Sequence, residues 1–224
     1  MGNYVLNIYR SGLSTNCDSC VLCIPGRGQH GRIIADYYSS KVTKNTAIVA
    51  PTPKDFEWYP LPNGLKDQRR SVQGIQKAAE WLERLLDNDL QDVPRNRIVL
   101  SGFSAGGVMA LELASRTESP FAGVICHAGA ILDTEGVKEC SEEKKNMPIW
   151  LYHQKDDEVF SWDERYVPMK NTLITKRYNT NSYESTFGNH TILEQHGNHV
   201  KQVLDYCFFS EISHKPSNVN ISTT

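Results

Sequence analysis

Five short apolar runs, at residues 21–24, 47–50, 98–100, 123–126 and 149–152, set the limits on what this chain can fold into. Each is nearly continuous in apolar character rather than alternating, as strands are when both of their faces are covered. Helical patterns lie between them. The clearest spans 71–86, where Ile75, Ala78, Ala79, Leu82, Leu85 and Leu86 recur on one face, and a second, rich in Ala, Met and Leu, covers 106–114. Strands alternating with helices imply right-handed crossovers, and so a mainly parallel, doubly wound α/β sheet with helices on both faces. Sheets of that kind bind and react at the carboxyl ends of their strands. No repeat or linker divides the 224 residues. One domain is expected over 1–212, followed by a polar, frayed tail over 213–224.

Composition narrows the function classes. The 24 Lys and Arg residues nearly balance 26 Asp and Glu, which offers no broad basic field for nucleic acid. No apolar stretch reaches the roughly 18 residues of a membrane span, and the opening residues lack the apolar segment of a signal peptide. The expectation is a soluble, cytoplasmic protein with no membrane span. Three of the six cysteines, Cys17, Cys20 and Cys23, are spaced as C-x-x-C-x-x-C, which invites a metal reading. No fourth ligand lies nearby, and alternation along the run at 21–24 would turn Cys20 and Cys23 to opposite faces. They are therefore expected to pack as reduced thiols, with no metal bound.

Directly after the run at 98–100 comes Gly102-Phe103-Ser104-Ala105-Gly106, followed by a helical pattern. G-x-S-x-G between a strand and a helix places a serine on a sharp, strained turn, where side chains two residues to either side would collide with neighbouring backbone. The helix N-terminus beneath Ser104 favours negative charge developing there. Ser104 is the candidate nucleophile. An acid should follow a later strand and a histidine should come after it. The run at 149–152 leads into His153-Gln154-Lys155-Asp156-Asp157-Glu158-Val159, with three acids among which spacing alone does not choose. Four histidines lie downstream: His190, His196, His199 and His214. His199, in Gly197-Asn198-His199 at the mouth of a helical stretch over 200–206, is taken as the base, with His196 as its rival. The oxyanion hole needs the amide of Ala105 and one from the loop Pro25-Gly26-Arg27-Gly28-Gln29-His30-Gly31, whose glycines let backbone approach a substrate. No Gly-Lys-Ser/Thr follows, so the loop is not a phosphate cradle.

Together these pieces resemble the phospholipase/carboxylesterase branch of the α/β-hydrolases, the group that includes acyl-protein thioesterases. Four ordered motifs carry the resemblance, over roughly residues 19–207. The family's L-H-G-x-G-D loop falls on Ile24-Pro25-Gly26-Arg27-Gly28-Gln29, which implies Arg27 as the second oxyanion donor. Its G-F-S-Q-G-G elbow falls on Gly102–Gly107. Its H-G-x-x-D-x-V-V loop implies Asp157, rather than Asp156, as the acid. Its G-x-G-H motif aligned on His196-Gly197-Asn198-His199 implies His199 as the base. Pro25, Ala105 and Gln154 depart from the family's usual His, Gln and Gly, which changes the pocket wall but leaves the backbone donors of Arg27 and Ala105 in place.

The resemblance implies an α/β-hydrolase fold without a large cap domain and a serine carboxylesterase acting on a small-molecule ester or thioester, with no cofactor. Gly26, Gln29, Trp58, Tyr59 and Phe103 are expected to line the substrate site, Arg27 to offer a charge at its mouth, and a homodimer is compatible with such a fold. The alternatives are a peptidase or lactone hydrolase on the same fold, and a non-catalytic receptor for a small ligand.

Overall fold

The computed structural model describes residues 4–13, 17–61 and 68–209, with Gln68 and Arg69 described in their backbone only. The tail expected at 213–224, and the last residues of the expected domain, lie outside these. Seven strands form one sheet: β1 (Val5–Ser11), β2 (Ser19–Ile24), β3 (Thr46–Pro53), β4 (Ile98–Phe103), β5 (Gly123–His127), β6 (Pro148–Gln154) and β7 (Asn179–Ser185). Their order is β1-β3-β2-β4-β5-β6-β7. Among the described residues only the β1–β3 pairing is antiparallel; all others are parallel. The carboxyl ends of β2 to β7 therefore gather at one edge.

The helices divide between the two faces as strand alternation requires. On one face, Cys20, Leu22, Ile24, Val49, Leu100 and Leu151 pack against α2 (Gln68–Asp89), α3 (Ala105–Arg116) and α4 (Val167–Thr175). On the other, Val21, Cys23, Ile48, Val99 and Ile125 pack against α1 (Gly31–Ser39) and α5 (Gly197–Phe209). Cys20 and Cys23 thus lie on opposite sides of β2, where they can share neither a disulfide nor a metal, and all six cysteines are free. Each expected run lies within a strand. The two outer strands were not expected: β1 reads VLNIYRS and β7 reads NTNSYES, neither with a continuous apolar run, and both are partly exposed, as edge strands are. Among the described residues no helix is long and apolar enough to cross a membrane, and no separate domain covers the carboxyl edge.

The α1/α5 face buries several polar groups that bond one another. Ser101 Oγ donates to the Tyr38 hydroxyl at 2.5 Å, leaving that hydroxyl's own proton for His127 Nε2 at 3.1 Å. His127 lies flat against Tyr152, whose hydroxyl meets His199 Nδ1 at 2.9 Å, while His196 Nε2 meets Ser185 Oγ at 3.0 Å. Burial pushes His127 down to about 3 and His196 down to about 4, helped by the neighbouring histidines. Burial also lowers His153 and His199.

An unfolded histidine titrates near 6.5, so below that pH the unfolded chain binds protons that the folded one refuses. Stability is then full above about pH 6.5 and falls as the pH drops toward 4, with an upper limit of about 1.4 kcal/mol per pH unit for each such histidine. Thermal unfolding should show a melting temperature clearly lower at pH 5 than at pH 7. Replacing both His127 and His196 by Gln should flatten that slope.

Candidate active site

Ser104 sits alone between the end of β4 and the start of α3, at φ 54° and ψ −119°. That conformation is one a non-glycine residue holds only when its surroundings force it, at a cost of about 1–3 kcal/mol. The forces are visible. The Ser104 amide donates to His127 O at 2.9 Å, and its carbonyl accepts from the amide of Val108 at 3.1 Å. A Cβ on Gly102 would lie 2.0 Å from Gly106 O, and one on Gly106 would lie 1.9 Å from Ile24 O. The two glycines thus let α3 start directly above β4 and hard against β2, leaving the serine no other place to turn.

His190 Nε2 lies 2.7 Å from Ser104 Oγ, and His190 Nδ1 lies 2.8 Å from Asp157 Oδ2. Asp157 is at the end of the β6 loop, and its other oxygen, Oδ1, accepts from the amides of Val159 and Phe160 at 2.8 Å each. Burial pushes the Asp157 carboxyl up, but the His190 hydrogen bond and the two amides outweigh it and leave the group below its ordinary value. An ionised carboxylate can only accept, so Nδ1 carries the proton and Nε2 is left bare to accept from Ser104 Oγ–H. The ring is held between Phe103, 5.1 Å away between centroids, and Phe160, 5.9 Å away. His153 closes the acid loop from behind, with Nε2–H donating to Phe160 O at 2.8 Å.

His199, expected as the base, is not at this site. It lies in the first turn of α5, against the rings of Trp150 and Tyr183 and bonded to the Tyr152 hydroxyl. His196 is buried beside Ser185 and likewise does not reach Ser104. The reason is topological. α5 packs down one face of the sheet, whereas β7 runs parallel to β6, so the chain leaving Ser185 emerges at the same edge as Ser104 and Asp157. His190 stands in that segment. The sequence carries Gly-Asn-His twice, at Gly188-Asn189-His190 and Gly197-Asn198-His199, and only recognition of β7 separates the two.

The loop after β2 brings further backbone to the serine's side. Gly26 N donates to Gln29 Oε1 at 3.1 Å, Gly28 N to Phe56 O at 2.9 Å and Gln29 N to Gly26 O at 3.2 Å. Among the described residues the Arg27 amide has no such partner, and the Ala105 amide, at the first position of α3, lacks one within the helix. Gly26 has no room for a side chain, because its Cβ would lie 2.9 Å from Phe103.

The expected substrate wall is otherwise placed. Trp58 and Tyr59 are buried, and Trp58 Nε1 donates to Pro25 O at 2.9 Å, so these residues support the loop from beneath. Arg27 also differs from expectation. Its guanidinium donates to Tyr59 O at 2.5 Å and pairs with Glu57, which ties the loop down and neutralises the charge. Phe103 does reach the site, through its contact with His190. Among the described residues no group of three or more His, Cys, Asp or Glu is placed to hold a metal ion.

The sequence model of one family, Phospholipase/Carboxylesterase, matches residues 38–208, which covers the elbow, the acid loop and His190 but not the loop after β2. Among curated proteins, acyl-protein thioesterase 1 homolog 2 of Dictyostelium discoideum is 29% identical over 41% of this chain and 42% of its own length. Acyl-protein thioesterase 1 of Schizosaccharomyces pombe is 28% identical over 54% of this chain and 53% of its own. The chain thus spans about half the length of the curated relatives it matches. Solved structures extend the likeness of fold to nearly the whole chain. A phospholipase/carboxylesterase from Dyadobacter fermentans superposes with a TM-score of 0.77 at 19% identity, covering 91% of this chain and 98% of the other. Zea mays acyl-protein thioesterase 2 gives a TM-score of 0.74 at 17% identity, over 90% and 99%.

The elbow geometry is testable through its glycines. Gly106→Ala forces a methyl group into the Ile24 carbonyl and should cost about 3 kcal/mol or more, lowering the melting temperature by roughly 6–12 °C. Gly28 has a positive φ of 74° but open space around it. Gly28→Ala should therefore cost only the left-handed conformation, about 1–2 kcal/mol. Calorimetry of the two variants checks the order.

Proposed function

This chain belongs to the phospholipase/carboxylesterase family, and from that premise we propose that it hydrolyses a carboxylic ester or thioester through Ser104, His190 and Asp157. The observation that carries the proposal is the continuous line from Ser104 Oγ through both ring nitrogens of His190 to Asp157, with bonds of 2.7 and 2.8 Å. As Ser104 Oγ attacks the carbonyl carbon, His190 Nε2 takes its proton, and Asp157 stabilises the imidazolium. The carbonyl oxygen, now negative, lies between the amides of Arg27 and Ala105, of which each such donor contributes about 2.7–4 kcal/mol to lowering the barrier. The tetrahedral species collapses, and His190 passes the proton to the departing alcohol or thiol. Water, deprotonated by the same nitrogen, then attacks the acyl-serine and releases the acid.

The surroundings favour an apolar substrate portion. Phe103 and Phe160 flank the His190 ring, while Val159 and Phe187, beside Asp157 and His190 in sequence, are among the most exposed large apolar residues. The relatives named for acyl-protein substrates support the thioester branch, and six free thiols support a reducing, cytoplasmic setting.

Ser104→Ala and His190→Ala should each lower turnover of p-nitrophenyl esters by about four to six orders of magnitude, whereas His199→Ala should retain it. Fluorophosphonate labelling should occur at Ser104 and disappear in both inactive variants. Full turnover by His190→Ala, or its loss in His199→Ala with folding intact, would overturn the assignment. Rates across esters and thioesters of increasing chain length then define the acyl group.

A further inference from the structure

We propose that Asp156 is a positioning residue for His190, holding by its backbone the residue whose ring Asp157 holds. The inference rests on reading Ser104, His190 and Asp157 as the reacting set. Asp156 Oδ2 accepts from the amide of Gly188 at 3.1 Å and Oδ1 from that of Asn189 at 2.8 Å, the two residues immediately before His190. Two successive acids on one turn therefore grip one short segment at two points. Charge makes such bonds roughly twice as strong as neutral ones, and a carboxylate spanning two consecutive amides fixes direction as well as distance.

The segment needs such a grip. Gly188 has φ 139° and Asn189 has φ 51°, both in the region that L side chains resist. A Cβ on Gly188 would lie 2.7 Å from Leu193. Asn189 is further occupied by its neighbours, its Oδ1 accepting from His190 N at 2.7 Å and its carbonyl from Thr191 N at 3.2 Å. Gln154 Nε2 donates to Thr191 O at 3.2 Å, so residues 188–191 are stitched to the turn at 154–157 on both sides of the histidine.

Asp156 itself is exposed. If its carboxylate is removed, water can satisfy the Gly188 and Asn189 amides, so the fold should survive and the cost should fall on geometry. The His190 ring would then spend less time within reach of Ser104. This is a loss of kcat, not of substrate binding.

The deciding experiment compares wild type, Asp156→Asn, Asp156→Glu and Asp157→Asn in the whole chain. Gly188 N and Asn189 N go to different oxygens, and asparagine replaces one of those acceptors with an N–H2 donor, whereas glutamate keeps two acceptors. Asp156→Asn should lower kcat for a p-nitrophenyl ester about 10–100-fold, with KM within about twofold and an unmoved acidic limb of the pH profile, because Asp157 still faces the ring. Asp156→Glu should recover part of the loss. Wild-type kcat in Asp156→Asn, or an acidic limb displaced as in Asp157→Asn, would overturn the proposal, the latter because the carboxylate would then be acting through its charge. A second readout does not depend on turnover. The downfield proton resonance of the His190 Nδ1–H bond to Asp157 should be present in wild type, absent from Asp157→Asn and broadened in Asp156→Asn. A resonance unchanged in Asp156→Asn would equally overturn the positioning role. A wild type that shows the resonance yet neither turns over esters nor takes up the fluorophosphonate would instead defeat the esterase reading.

Discussion

The close approach of α3 to β2, with a Cβ on Gly106 only 1.9 Å from Ile24 O, is the contact on which the carboxyl edge of this protein depends. Because the helix can start there, Ser104 must turn through a positive φ, its side chain stands clear of the sheet, and the Ala105 amide opens toward the same space. The loop that leaves β2 begins at Pro25, directly after the carbonyl that Gly106 approaches, so the backbone of Gly26 and Arg27 is positioned by the same contact. Strain at one residue is offset by packing along a helix whose apolar residues from Val108 to Ala114 are almost all buried. A serine in relaxed backbone would lie within the helix or the strand, facing the core.

How much of this could be read from the residues depended on whether a signal was local. The five interior strands were legible because burial on both faces demands continuous apolar runs, and the elbow because sterics demand glycine at two fixed distances from the serine. β1 and β7 were not legible, since an edge strand half in water keeps polar residues and loses the pattern. The histidine beside Ser104 follows β7 directly. With no strand recognised before it, Gly188-Asn189-His190 looked like any polar loop, while Gly197-Asn198-His199 lay beside a helical pattern that drew attention to it. The physical signal that separates them is register: β7 pairs with β6 through Ser185 opposite Gln154, which brings the next few residues alongside the acid loop.

Side-chain direction was equally hidden where it depended on distant partners. Trp58 and Tyr59 read as an apolar wall, whereas both are buried and the Trp58 indole donates to the Pro25 carbonyl. Arg27 read as a charge facing a substrate, but Glu57 and the Tyr59 carbonyl draw it back along the protein surface. Asp156 stands beside Asp157 in sequence and is exposed. Its two amide partners, more than thirty residues away in sequence, are invisible to spacing. In each case the backbone position was predictable from the motif, while the role of the side chain was set by a long-range hydrogen bond.

The histidines show the same chemistry put to opposite uses. His127, His196 and His199 lie among aromatic rings and hydroxyls, with no carboxylate bonded to them, so burial lowers all three, and neighbouring positive groups add to it at His127 and His196. His190 differs in having an ionised partner that is itself held ionised by two amides, so a positive charge arising on its ring meets a counter-charge already in place. At the carboxyl edge an accepting carboxylate thus stands directly on His190 Nδ1. The opposite face, built from the same residue type, excludes protons until the pH falls far enough to threaten the fold.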